Sequence, residues 1–113
     1  MKSYAQITCA AALVAMTCAT TAGAAVDGDA AKRLARSNNC LRCHGLVKQK
    51  DGPTYHDVAV KYRGKADAED TLVHHLTAGV KIKFKDGHQE FHKAVKAPDE
   101  GAVRNLALWI LAQ

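Results

Sequence analysis

The chain has 113 residues, a formal net charge of +5 and only 5% aromatic residues, a size that allows one domain with a small core. No basic segment is interleaved with aromatic side chains, so the composition gives no support for nucleic-acid binding. The mild excess of lysine and arginine favours an acidic protein surface as a partner.

Residues 1–24 have the composition of a secretory signal peptide. Lys2 precedes an apolar segment, and the small residues Ala22-Gly23-Ala24-Ala25 follow it, which places cleavage after Ala24 or Ala25. An uncleaved anchor is the alternative, but the apolar segment is interrupted by threonines and is shorter than the ~20 apolar residues of a membrane span. We therefore expect export to the periplasm, no integral membrane span in the mature protein, and one domain over residues 25–113.

The first helix is predicted over residues 29–37, where alanine and leucine recur at helical spacing. Asp27 or Asp29 can cap its N-terminus. Asn38-Asn39 is expected to end it.

Directly after this helix, Cys40-Leu41-Arg42-Cys43-His44 has the C-x-x-C-H spacing of covalent haem attachment. Two residues between the thiols allow Cys40 and Cys43 to form thioethers with the two vinyl groups of one porphyrin, and His44 then lies where the iron needs its proximal ligand. A redox dithiol, half a zinc site or a disulfide would each use two cysteines, but none of them needs the adjacent histidine. The motif occurs once, so we predict one haem c, attached through Cys40 and Cys43.

Two further helices are expected before residue 80. A short one begins after Thr54 and ends at Gly64, and its apolar side chains lie on one face. The next covers Asp67–Ala78, and Gly79 is a natural residue to follow its C-terminus.

The segment from Val80 to Ala97 is harder to assign. Residues 80–84 alternate as a strand does, and Asp86-Gly87 suggests a turn. No second strand is evident, so we expect a loop around the haem or at most a β-bridge. A last helix begins at Pro98-Asp99-Glu100, with Asp99 as its cap. The pattern as a whole predicts an all-α fold of about four short helices packed around one haem.

These features resemble the class I c-type cytochromes, in particular the short bacterial mono-haem members. The likeness includes the C-x-x-C-H motif, Gly52-Pro53-x-Tyr55, the helix that ends at Gly79, and the C-terminal Leu106-x-Leu108-Trp109-Ile110-Leu111. It implies the class I cytochrome c fold, in which the N- and C-terminal helices cross.

The resemblance also implies roles for individual residues near the haem. The carbonyl of Pro53 would accept a hydrogen bond from the ring N–H of His44 and orient that ligand. Trp109 would pack near the haem, and His75 would hydrogen-bond a haem propionate.

The chain departs from the family pattern at the distal ligand. Family members usually supply a methionine before the last helix, whereas the only methionines here are Met1 and Met16. His88 and His92 are the imidazoles of that segment, and His92 is close to where the family's methionine falls. We therefore predict His44 and His92 as iron ligands, with His88 as the second candidate and an open or water-ligated site as the third.

Imidazole in place of methionine lowers the reduction potential, because the soft sulfur favours ferrous iron. The predicted function is a monomeric, low-potential electron carrier of the periplasm that passes single electrons between redox proteins. Two alternatives stay open: a haem that binds NO, CO or O₂ by displacement of the distal ligand, and an electron-relay subunit of a larger oxidoreductase. Catalysis by the chain itself is not expected, because the sequence offers no acid–base constellation apart from the iron ligands.

Basic residues are concentrated around the attachment motif, where they would form a positive surface for an acidic partner. Solvated lysines and arginines on an ordinary soluble surface are the alternative explanation. This basic cluster consists of Lys32, Arg33, Arg36, Arg42, Lys48 and Lys50.

Overall fold

The computed structural model describes residues 25–113, so the predicted leader, residues 1–24, lies outside the described part. Five helices and one two-stranded sheet are present in it. They are α1 (Gly28–Ser37), α2 (Cys40–Cys43), α3 (Tyr55–Tyr62), α4 (Ala68–Thr77), β1 (Lys81–Lys83), β2 (Gln89–Phe91) and α5 (Glu100–Leu111). No helix of residues 25–113 has the length and apolar character that a membrane crossing needs.

The C-terminal helix α5 is the centre of the packing and contacts α1, α3 and α4. Its Leu106 is fully buried, as are Ala31 and Ala35 of α1. The short alanine side chains allow the two terminal helices to approach closely. Asn105 of α5 also joins them, because its side-chain amide donates to the carbonyl of Asp27 and accepts from the N–H of Asp27, both at 2.8 Å. The paired terminal helices of the class I cytochrome c fold are thus built from the segments that the sequence predicted.

Side-chain caps fix where three of the helices begin. Asp27, Thr54 and Asp99 each accept a hydrogen bond from a backbone N–H in the first turn of α1, α3 and α5. Asp67 precedes α4 without such a bond. The predicted helix limits are therefore confirmed to within about two residues.

The chain between α4 and α5 differs from the expectation. Residues 80–97 were expected to form a loop or at most a β-bridge, and this is wrong, because β1 and β2 pair over three residues each as an antiparallel hairpin. Gly87 takes a positive φ of 94° in the connecting turn, and the N–H of Phe84 donates to the carbonyl of His88 at 2.9 Å. Strand β2 is only three residues long and mostly polar, so its sequence carries no alternating pattern. The helix count also rises from about four to five, because the C-x-x-C segment is itself helical.

The caps give a test of the helix assignments. Asp99→Ala should lower the free energy of unfolding by about 1 kcal/mol, because it removes the acceptor for the N–H of Ala102 at 2.8 Å. Asp67→Ala is the matched control, since Asp67 holds the same position without a cap hydrogen bond, and it should cost less than about 0.5 kcal/mol. Urea unfolding of the two holo-variants measures both values. Equal losses would contradict the assignment of the cap.

Candidate haem site

The attachment motif forms a single helical turn that is set off from α1. Asn39 separates this turn from α1, because it has a left-handed φ of 57°, a conformation that asparagine tolerates better than most residues. Cys40 is partly buried and Cys43 is exposed, and neither forms a disulfide within residues 25–113. His44 follows in extended conformation, and its N–H donates to the carbonyl of Cys40 at 3.0 Å. The imidazole therefore lies directly beyond the turn that carries the two thiols.

The His44 ring is held by the segment that follows it. Its Nδ1 lies 2.7 Å from the carbonyl oxygen of Pro53, which can only accept, so Nδ1 carries the proton and Nε2 is left to bind a metal. Tyr55 stacks on the ring with the centres 5.5 Å apart and the planes at 17°. At Gly52 a Cβ atom would come within 2.6 Å of Cε1 of His44. Only glycine allows the chain to approach the imidazole this closely.

His92 lies across from His44, at the end of the hairpin. Its N–H donates to the carbonyl of Val80 at 2.8 Å, which extends the pairing of β1 and β2 by one residue. Burial and the nearby His44 lower the pKa of His92, so the ring is neutral at pH 7, the form that binds metals. Its Nδ1 is buried and has no hydrogen-bond partner within residues 25–113, although buried ring nitrogens are normally bonded.

The separation of these two rings decides whether a single iron fits between them. The centres of His44 and His92 are 6.1 Å apart. A metal–imidazole bond is about 2 Å long and a ring nitrogen lies about 1 Å from the ring centre. Two imidazoles on opposite sides of one metal would thus have their centres roughly 6 Å apart. The observed spacing fits an iron between the two histidines.

His88, the second candidate ligand, is engaged elsewhere. Its Nδ1 binds the carboxylate of Asp86, its Nε2 lies 3.3 Å from Glu90, and its ring stacks on Phe84 with centres 4.2 Å apart. The hydrogen bond to Asp86 is the main cause of a raised pKa for His88. Both ring nitrogens of His88 therefore contact carboxylates of the hairpin.

In comparisons with known proteins, the family model for cytochrome c matches residues 28–112. The chain belongs to the cytochrome c family. The crystal structure of the class 1 cytochrome MtoD from Sideroxydans lithotrophicus ES-1 shares 59% identity and a TM-score of 0.74, over 78% of this chain and 97% of that one. Cytochrome c-552 of Hydrogenobacter thermophilus is 38% identical over 85 residues, which are 72% of this chain and 79% of the relative. Cytochrome c-551 of Allochromatium vinosum is 37% identical over 78 residues, 69% and 80% of the two chains.

Membership of the cytochrome c family confirms the class I cytochrome prediction and the cofactor, one covalently attached haem c. Cys40 and Cys43 lie in the C-x-x-C-H motif at which haem is attached in cytochromes c. The relatives are small cytochromes c, and the function of such proteins is electron transfer.

Two further residues of this cytochrome were singled out by sequence. The His75 ring lies 4.8 Å from that of His92, and burial, followed by His92 and His44, lowers its pKa. Trp109 is buried and meets Tyr55 edge-on, with ring centres 5.6 Å apart. Trp109 is therefore separated from His44 by the ring of Tyr55, and His75 borders His92.

Asn38 is a structural residue of the site that sequence reasoning read only as a helix terminator. Its side chain is buried, donates to the carbonyls of Leu34 and Lys96 at 3.0 Å each, and accepts from the N–H of Lys96 at 2.8 Å. It thereby fastens the segment after His92 to the end of the helix that leads into the haem motif. An asparagine before C-x-x-C-H was the only available signal, and sequence alone does not show a bond to a residue so distant in the chain.

Removal of this clamp should weaken both the fold and the distal side. Asn38→Ala leaves the N–H and carbonyl of Lys96 without their partner, so we expect a loss of about 1–3 kcal/mol in the free energy of unfolding. Ser37→Ala is the control, because Ser37 is exposed, donates to the carbonyl of Leu34 and touches the Asn38 amide only through a long hydrogen bond of 3.5 Å. It leaves the bonds between Asn38 and Lys96 in place and should cost less than about 0.5 kcal/mol. Denaturant unfolding gives the stabilities. Azide or imidazole titration of the ferric protein should show easier ligand entry in Asn38→Ala alone, and unchanged titrations would mean that the clamp does not act on the distal side.

Proposed function

We propose that the protein is a periplasmic electron carrier whose haem iron is bound by His44 and His92. The observation that carries this proposal is the 6.1 Å separation of the two imidazoles, one of them in the attachment motif of a cytochrome c. When bound, haem supplies a one-electron couple between ferric and ferrous iron. The polypeptide must hold the two histidines in fixed positions.

The chain holds the two histidines from segments fixed by backbone hydrogen bonds. The carbonyl of Pro53 orients the proximal ring and raises its basicity, and the stacked Tyr55 limits its rotation. The distal ring follows a paired strand and precedes the segment held by Asn38. Two ligands held in this way favour six-coordination in both oxidation states. That keeps the structural change on electron transfer small.

The remaining features concern the surroundings of the haem and the export of the chain. His75 lies beside the distal imidazole, where we propose that it borders the haem and hydrogen-bonds a propionate. Trp109 closes the proximal side behind Tyr55. The apolar leader supports export, and the partners of an exported monomeric carrier are other redox proteins.

Ligand identity can be tested with two histidine variants of the holo-protein. The wild-type ferric protein should be low-spin by EPR and should lack the far-red absorption band of methionine sulfur ligation. His92→Ala should become high-spin and bind added imidazole. His88→Ala is the matched control and should stay low-spin, because His88 bonds to Asp86 and Glu90 in the hairpin turn.

The alternative functions predict different spectra. A high-spin wild-type protein that takes up CO or NO rapidly would favour the ligand-binding function. A high-spin His88→Ala together with a low-spin His92→Ala would make His88 the ligand.

Replacement of the ligand should change the reduction potential in a known direction. His92→Met should raise the potential by on the order of 0.1 V, a part of the ~0.8 V range that axial ligands span, because thioether sulfur favours ferrous iron. His88→Met adds the same side chain away from His44 and should leave the potential unchanged. Spectroelectrochemical titration measures both. If His92→Met shows the methionine band but its reduction potential is unchanged, the claim that imidazole ligation lowers the potential is refuted.

A further inference from the structure

The outer face of the β1–β2 hairpin combines lysines with an exposed aromatic ring. Residues directly opposite each other in an antiparallel pair share a face of the sheet, and side chains alternate between faces along each strand. Lys81 lies opposite Phe91, and Lys83 lies opposite Gln89, so these four side chains share one face. All four are exposed, and Phe91 retains 74% of its accessible surface.

The other face of the hairpin belongs to the haem side of the molecule. Ile82 is partly buried there. His92 pairs with Val80 and follows Phe91, so its ring lies on the face opposite to that of Phe91. The two consecutive residues therefore lie on opposite faces of the hairpin: His92 faces inward and Phe91 faces outward.

The charges of the hairpin are also segregated. Its two carboxylates, Asp86 and Glu90, both bind His88. No ion pair formed within residues 25–113 includes Lys81, Lys83 or the exposed Lys85. The outer face is therefore left with positive charge around one large apolar side chain.

We propose that this hairpin docking face, formed by Lys81, Lys83 and Phe91 together with Lys85 of the adjoining turn, binds an acidic surface of the redox partner. The proposal rests on the electron-carrier function above. Uncompensated lysines attract a carboxylate-rich surface over a distance of about 8–10 Å at physiological salt. An exposed phenylalanine provides the aromatic contact typical of interface centres. A partner docked here lies against the residue adjacent to the distal ligand.

A carboxylate-bearing electrode can serve as the probe, because the natural partner is unidentified. The holo-protein is adsorbed at low ionic strength on gold that carries a mixed monolayer of carboxylate- and methyl-terminated thiols. Cyclic voltammetry then measures the electroactive amount. Lys81→Glu/Lys83→Glu should reduce this amount about tenfold or more, within the range that local charge contributes to association.

The matched control makes an equal change in net charge in the basic cluster near the attachment motif. Arg33→Glu/Arg36→Glu reverses two exposed charges of α1 and should reduce the adsorbed amount less than about threefold, because it acts only through net charge. An equal loss in both double variants, or a larger loss in the α1 variant, would overturn the proposal. Phe91→Ser tests the apolar contact and should lose about threefold or more on the mixed monolayer while it matches the wild type on a purely carboxylate one. Equal behaviour on both surfaces would remove Phe91 from the docking face.

A neutral surface separates this proposal from the function on which it rests. On a hydroxyl-terminated monolayer every variant should give the same one-electron wave, with the same absorption spectrum as the wild type. If the wild type gives no reversible wave there, the electron-carrier function fails. If the wave is present but the charged surface does not distinguish the two double variants, only the docking face fails. If Lys81→Glu/Lys83→Glu changes the absorption spectrum, the neutral variant Lys81→Gln/Lys83→Gln replaces it. This variant must still adsorb more weakly on the carboxylate monolayer than its control, Arg33→Gln/Arg36→Gln.

Discussion

The structure depends on one constraint: two imidazoles distant in sequence, those of His44 and His92, are held with their ring centres 6.1 Å apart. The ring of His44 is held by the Gly52-Pro53 segment, which can approach it closely because Gly52 has no side chain. His92 is fixed by a hairpin on one side and by the Asn38 clamp on the other. The two terminal helices bring these segments together, since α1 leads into the attachment motif and α5 follows the distal segment.

Most of the fold was predictable because its signals are local. Helix limits follow from capping side chains such as Asp27 and Asp99, which lie within one turn of the groups they bind. The haem motif is likewise contained in five consecutive residues. His92 was chosen as the distal ligand for a different reason: residues 25–113 contain no methionine, and His92 lies close to where the family's methionine falls.

What could not be predicted consists of contacts between distant segments. Strand β2 is three residues long and pairs through its backbone, so no side-chain pattern marks it. The Asn38 amide binds Lys96 across 58 positions of sequence, and an asparagine at a helix end gives no indication of such a partner. The contact between the rings of His75 and His92 depends on how α4 lies against the hairpin, which no local pattern shows.

The short hairpin also shows how one register serves two purposes. Because strand side chains alternate, the pairing of Val80 with His92 that turns the imidazole inward also turns Phe91 and Lys81 outward. A slip of one residue would exchange the faces, removing the imidazole from the haem side and burying a lysine. Burial of an unpaired lysine is costly, and the imidazole would lose its place opposite His44. The inward imidazole of His92 and the charged outer face therefore favour the same register of the two strands.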